Sequence, residues 1–127
     1  MSRMIFPNLP VQDLASSVEF WSALGFEFNQ EFGSSECACL VINDQASVML
    51  LAADFFHGFH KTTPHTGTEI LLCLSAESRE EVDELCERAA AAGATDAEER
   101  VDQGPMYGGS FRDIDGHIWE VLWMSTN

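Results

Sequence analysis

The chain has 127 residues, 46% of them hydrophobic, which is enough for about one domain with a core of its own. Its 21 acidic against 6 basic residues leave a formal charge of -15, a field that repels phosphate backbones and anionic membrane surfaces and excludes nucleic acid as a partner. The same field favours neutral or cationic small molecules and metal ions.

The opening MSRMIFPNLP lacks an apolar stretch of signal-peptide length, and no run approaches the ~20 apolar residues of a membrane span, so no membrane association and a cytoplasmic location are expected. MIFPNLPV reads as a short strand. Asp13 then offers an N-cap to a helix whose apolar positions Leu14, Val18, Trp21 and Leu24 follow the helical period until Gly25 stops it. FEFNQEF, ECACLVIN and ASVMLLA are β-prone runs separated by GSS and DQ, turn compositions that predict consecutive antiparallel strands.

A connector follows, AADFFHGFHKTTPHTGT, rich in Gly, Pro and Thr and carrying Phe55, Phe56 and Phe59 with His57, His60 and His65. Its aromatic rings either cover a core edge or face a ligand. His57 and His60 lack an acidic or cysteine neighbour at ligand spacing, which makes them a weak metal pair.

The order of elements then repeats. EILLCLS reads as a strand, and Ser78 with Glu81 forms a capping box for a helix carrying Val82, Leu85, Cys86 and Ala89 on one face and ended by Gly93. ATDAEERV, GGSFRDI and HIWEVLWM are the next strand candidates, with DQGPMYGG and the DIDG turn between them. The chain thus divides into a first βαβββ module at 1–52, a connecting loop at 53–67 and a second βαβββ module at 68–127. Cys37, Cys39, Cys73 and Cys86 lack the CxxC spacing of zinc sites and lie in apolar periodic segments, so buried free thiols are expected.

The last strand sets one carboxylate, Glu120, in an apolar run, a placement that costs on the order of several kcal/mol if the charge is buried unpaired. Alternation puts Ile118, Glu120 and Leu122 on one side and Trp119, Val121 and Trp123 on the other. Glu120 is either a satisfied acid bonded to Arg112 or a backbone amide across the hairpin, or a working group in a pocket. In the second case Tyr107, from GPMYGG, is its candidate hydroxyl partner in metal-free acid–base chemistry.

The helix entry DLASSVEFWSALGF, the closing DIDGHIWEVLW and the duplicated module together resemble the vicinal oxygen chelate superfamily, which includes glyoxalases, extradiol dioxygenases, fosfomycin resistance proteins and bleomycin-binding proteins. The resemblance spans nearly the whole chain. It implies an α+β fold in which two tandem βαβββ modules form a curved mixed sheet around a cleft, and it implies a homodimer. It also implies a divalent ion (Zn, Ni, Fe or Mn) held by one side chain from the first strand and one from the last strand of each module.

In the second module those positions fall on Glu69 and Glu120. In the first they fall on Phe6 and on Met49 or Leu50, none of which suits a hard ion, so the ligand set is incomplete. Two functions follow from the resemblance. One is a protein that binds a small organic molecule in its cleft, with Phe6, Trp21, Met49, Phe55, Phe59, Met106 and Trp119 as candidate contacts, to which Trp123 is added as a stacking surface. The other is a metal-dependent lyase or isomerase of the lactoylglutathione-lyase type, or a dioxygenase, with Glu69 and Glu120 on the ion and Glu120 and Tyr107 in the chemistry. For the tryptophans, plain core packing is the competing reading.

Overall fold

The computed structural model describes residues 3–61 and 67–125. Its elements run β1 (Asn8–Val11), α1 (Leu14–Ala23), β2 (Glu27–Phe28), β3 (Cys37–Asn43), β4 (Ala46–Ala52), α2 (Ala53–Gly58), β5 (Leu72–Ser75), α3 (Arg79–Ala91), β6 (Val101–Asp102), β7 (Met106–Arg112) and β8 (Ile118–Met124). The chain divides after Thr66 into two compact units. Each unit builds its own four-stranded mixed sheet, in the orders β1-β4-β3-β2 and β5-β8-β7-β6. In both, the first strand lies parallel to the last, and the remaining pairs are antiparallel.

Local chemistry accounts for the two long helices. The Asp13 carboxylate accepts from the amides of Ala15 (3.1 Å) and Ser16 (3.4 Å) at the head of α1. At the head of α3 the Ser78 hydroxyl accepts from the amide of Glu81 (3.0 Å), and the Glu81 carboxylate reaches back to the amide of Glu77 (3.1 Å). Gly25 (φ 96°) and Gly93 (φ 113°) take the left-handed backbone that releases the chain after each helix.

Each helix buries one stripe against its own sheet. Ser17, Phe20, Trp21 and Leu24 cover Leu9, Val11, Ala38, Leu40, Val48 and Leu50 in the first unit, with Trp21 edge-on to Phe20 (5.2 Å) and Phe26 (5.3 Å). Val82, Cys86 and Ala89 cover Phe111, Trp119 and Val121 in the second. There Gly109 lets the helix close in, since a Cβ on it would lie 2.8 Å from the Cys86 sulfur.

The tight turn before β8 is organised by Asp113, which is 4% exposed. One carboxylate oxygen accepts from the amides of Asp115 (2.9 Å) and His117 (3.0 Å), and the other takes the Trp119 indole N–H (2.9 Å). The last strand is thereby tied to its own turn.

Several segments differ from the sequence expectation. FEFNQEF forms a strand only at Glu27–Phe28; the Asn29 amide makes the last bond to β3, at Cys39 O (2.9 Å), and its side chain caps the amide of Glu31 (3.0 Å) to start a 3-10 turn at Gln30–Phe32. ATDAEERV contributes one bridge, Thr95 to Arg112, and only its last residue, Val101, to β6. EILLCLS enters its sheet only at Leu72. The connector holds α2 and a 3-10 turn at Phe59–Lys61, broken at His60 by a φ of 55°. His65 lies outside the described residues. Among those described, no helix is long and apolar enough to cross a membrane.

Candidate functional site

Gly109 faces α3, and its partner in register is Val121. Strand alternation therefore turns the next pair, Ser110 and Glu120, to the opposite side of the sheet. On the other flank of β8, the parallel partner of Glu120 is Cys73. A row of three polar side chains thus crosses β5, β8 and β7 on the face that α3 leaves uncovered: thiol, carboxylate, hydroxyl. Cys73 and Glu120 are exposed and Ser110 is half-buried.

The neighbouring row on this face is Ser75, Leu122 and Gly108, where Leu122 lies so close that a Cβ on Gly108 would meet its Cδ1 at 3.2 Å. Ile118 and Leu122 flank Glu120 along β8. Partial burial, and then the Glu120 carboxylate, push the Cys73 thiol above its ordinary range, which keeps it protonated at neutral pH.

The expected arrangement is corrected at several residues. Glu69 is exposed and precedes β5, so Cys73 and not Glu69 stands beside Glu120. Tyr107 pairs with Trp123 on the side of the sheet that carries α3, the reverse side from Glu120, and cannot be its partner. Instead, the Tyr107 hydroxyl donates to Asp83 (2.7 Å), which also accepts from Arg100 Nε (2.7 Å).

The Tyr107 ring and the Trp123 ring lie 5.0 and 5.2 Å from the Arg79 guanidinium, which forks onto Asp102 at 2.7 and 3.0 Å. The hydroxyl of Tyr107, and then Arg100, hold Asp83 below the usual carboxylate range, and the bond to Asp83 raises Tyr107. Trp21 and Trp119, 1% and 0% exposed, belong to the two cores and cannot touch a ligand. Arg112 does not satisfy Glu120: it donates to Gly116 O (2.8 Å) and pairs with Asp96 (3.1 Å). Of the four thiols expected to be buried, Cys39 and Cys86 are, Cys37 is half-buried and Cys73 is exposed; all four are free.

In the first unit, Asn8 pairs with Met49 as Cys73 pairs with Glu120, one step before the inward pairs Leu9–Leu50 and Leu74–Val121. The Asn8 amide donates to Phe6 O (2.6 Å). Phe6 is 47% exposed just ahead of β1. Phe55 and Phe59 stack edge-on at 5.0 Å, and His57 packs against Phe56 at 5.1 Å. Met106 pairs with Met124 at the far end of β7. A crevice of about 580 Å³ opens between α1 and the start of β3, lined by Leu14, Val18, Phe28 and Cys37 among others, and none of the expected site residues lines it.

Among the described residues, no three His, Cys, Asp or Glu side chains gather into a metal centre. Beside Glu120 stand one protonated thiol and one hydroxyl, and the matching pair in the first unit is an amide and a thioether. This donor set does not fit the four-ligand centre of the vicinal oxygen chelate type. Ser110 was legible in principle, by counting both strands outward from the DIDG turn. Cys73 was hidden because the face of β5 that packs inward depends on the helix above it.

Comparison with known proteins agrees with this architecture. The family model described as Glyoxalase/Bleomycin resistance protein/Dioxygenase superfamily matches residues 4–121. Among curated proteins none matches. A hypothetical protein from S. aureus, SA1046, superposes with a TM-score of 0.84 at 30% identity over 97% of this chain and 94% of that one. A glyoxalase/bleomycin resistance protein/dioxygenase family enzyme from Burkholderia phytofirmans PsJN gives 0.85 at 18% identity, covering 97% and 99%. The fosfomycin resistance protein FosX from Listeria monocytogenes, solved with Mn(II) and sulfate, gives 0.73 at 21% identity, covering 99% and 93%.

Proposed function

Because the chain belongs to the Glyoxalase/Bleomycin resistance protein/Dioxygenase superfamily, we propose that it binds a small organic molecule on the uncovered sheet face of its second unit, around Glu120, with an incomplete metal-ligand set. One observation carries this reading: Glu120 is exposed, flanked in register by Cys73 and Ser110, and set between Ile118 and Leu122. A few convergent polar groups within an apolar surround are what fixes the orientation of a small ligand. The Glu120 carboxylate accepts hydrogen bonds from it, Cys73 and Ser110 donate, and Leu122 and Ile118 cover its carbon skeleton.

The second reading is a divalent-metal-dependent lyase, isomerase or dioxygenase, with Glu120 as one ligand of the ion. Titration calorimetry with nickel, zinc, iron and manganese on the wild-type chain and on Glu120→Gln separates the two. Two adjacent donors give binding no tighter than about 1 mM, equivalent to about -4 kcal/mol. Micromolar binding that Glu120→Gln abolishes would overturn the first reading in favour of the second.

A further inference from the structure

We infer that this face selects its ligand by charge, accepting molecules with a protonated amine beside an apolar body and turning away anions of the same shape; the inference rests on the reading of the face as the binding surface. Apart from His117 in the turn before β8, the basic residues of the second unit are four arginines, and each guanidinium is paired with an acid of the same unit. Arg79 pairs with Asp102 (2.7 Å), Arg88 with Glu84 (3.3 Å), Arg100 with Asp83 (2.7 Å) and Arg112 with Asp96 (3.1 Å).

Arg112 is the one whose backbone position lies on the same face as Glu120, two places along β7 from Ser110. Its guanidinium is drawn away to Asp96 and to the carbonyl of Gly116. The head of α3 offers no alternative anion holder, since Ser78 takes the amide of Glu81 and the first turn carries the carboxylates of Glu80 and Glu81. Among the described residues no ion pair reaches Glu120. The complement that this face lacks is a positive charge, and a ligand carrying one supplies it. An anion would meet Glu120 with no guanidinium to offset the repulsion.

Benzylamine, benzyl alcohol and phenylacetate share a ring and differ in charge at neutral pH, and each is titrated at low salt while the backbone amide resonances of β5, β7 and β8 are followed by NMR. The expected result is that benzylamine shifts the amides of Cys73, Ser110 and Glu120 and binds about fivefold more tightly than benzyl alcohol, the range of an exposed ion pair. Phenylacetate binds most weakly. The amine's advantage disappears in Glu120→Gln and shrinks as salt is raised. Because Glu120 is exposed, that variant keeps its fold, which the spectrum itself reports.

Phenylacetate binding as tightly as benzylamine at these amides overturns the charge selection and leaves the binding surface standing. An amine preference that persists in Glu120→Gln also overturns it, because the overall field would then be the cause. If none of the three moves these amides, the surface itself is refuted and the selection falls with it.

Discussion

Asp113 is a buried acid in a hairpin turn, with its carboxylate shared between two amides and the Trp119 indole. Burial pushes its pKa up, against the pull of His117 and the Trp119 bond. A carboxyl raised in the folded state stabilises fully below its unfolded value, about 3.9, and that contribution is lost as pH rises through the folded value. At neutral pH, then, the charge is a cost that the three donors offset. Asp113→Asn removes the charge but turns an amide NH2 toward the donor on Trp119 or toward the two backbone amides. Leaving a buried donor unmet costs about 1–3 kcal/mol, so urea denaturation at pH 7 is expected to show a loss of that size. Equal stability of variant and wild type would mean that the charge, not the bonding, dominates at this position.

Helix α3 is fastened to its sheet by side chains as well as by its buried stripe: Asp83 takes Tyr107 and Arg100, and Arg79 lies over the Tyr107 and Trp123 rings and on Asp102. Asp83 is held below its ordinary value, first by the Tyr107 hydroxyl and then by Arg100. A depressed carboxyl stabilises above its unfolded value, and the contribution disappears as pH falls through the folded one. The melting temperature of Asp83→Asn is therefore expected to lie below that of wild type at pH 7 and to converge on it toward pH 3. Two melting curves that stay parallel across that range would remove Asp83 from the acid response. The helices themselves were readable from the chain, because Asp13, Ser78, Glu81, Gly25 and Gly93 each act within one turn of their own position. Tyr107 was not. GPMYGG has the composition of a loop, yet β7 begins at Met106, and a hydroxyl assigned to Glu120 ended up beneath α3. The weak strands escape the pattern for a related reason: Glu98 and Glu99 interrupt alternation, and after the Asn29 amide has bonded to Cys39 O (2.9 Å) its side chain turns the chain away by capping Glu31.

Duplication of the βαβββ unit was visible as an order of elements, and each copy closes its own sheet. The copies differ in what they place at equivalent register, Asn8 and Met49 against Cys73 and Glu120, and that difference was only half legible because Glu69 looked like the better match to Glu120. With a formal charge of -15, two chains repel each other, so a homodimer of the kind the resemblance implies would form only as salt screens that field. Sedimentation in increasing sodium chloride is expected to shift the chain from monomer toward dimer. A chain that stays monomeric at every salt concentration would remove the dimer. The two buried tryptophans have a further use, since Trp21 belongs to one copy and Trp119 to the other. Each is a built-in optical probe of a single copy. Replacing Trp21 by phenylalanine leaves emission from the second copy alone, through Trp119 and Trp123, and replacing Trp119 and Trp123 together leaves emission from Trp21 alone, so the order in which the duplicated halves melt can be read with a fluorimeter and no added dye.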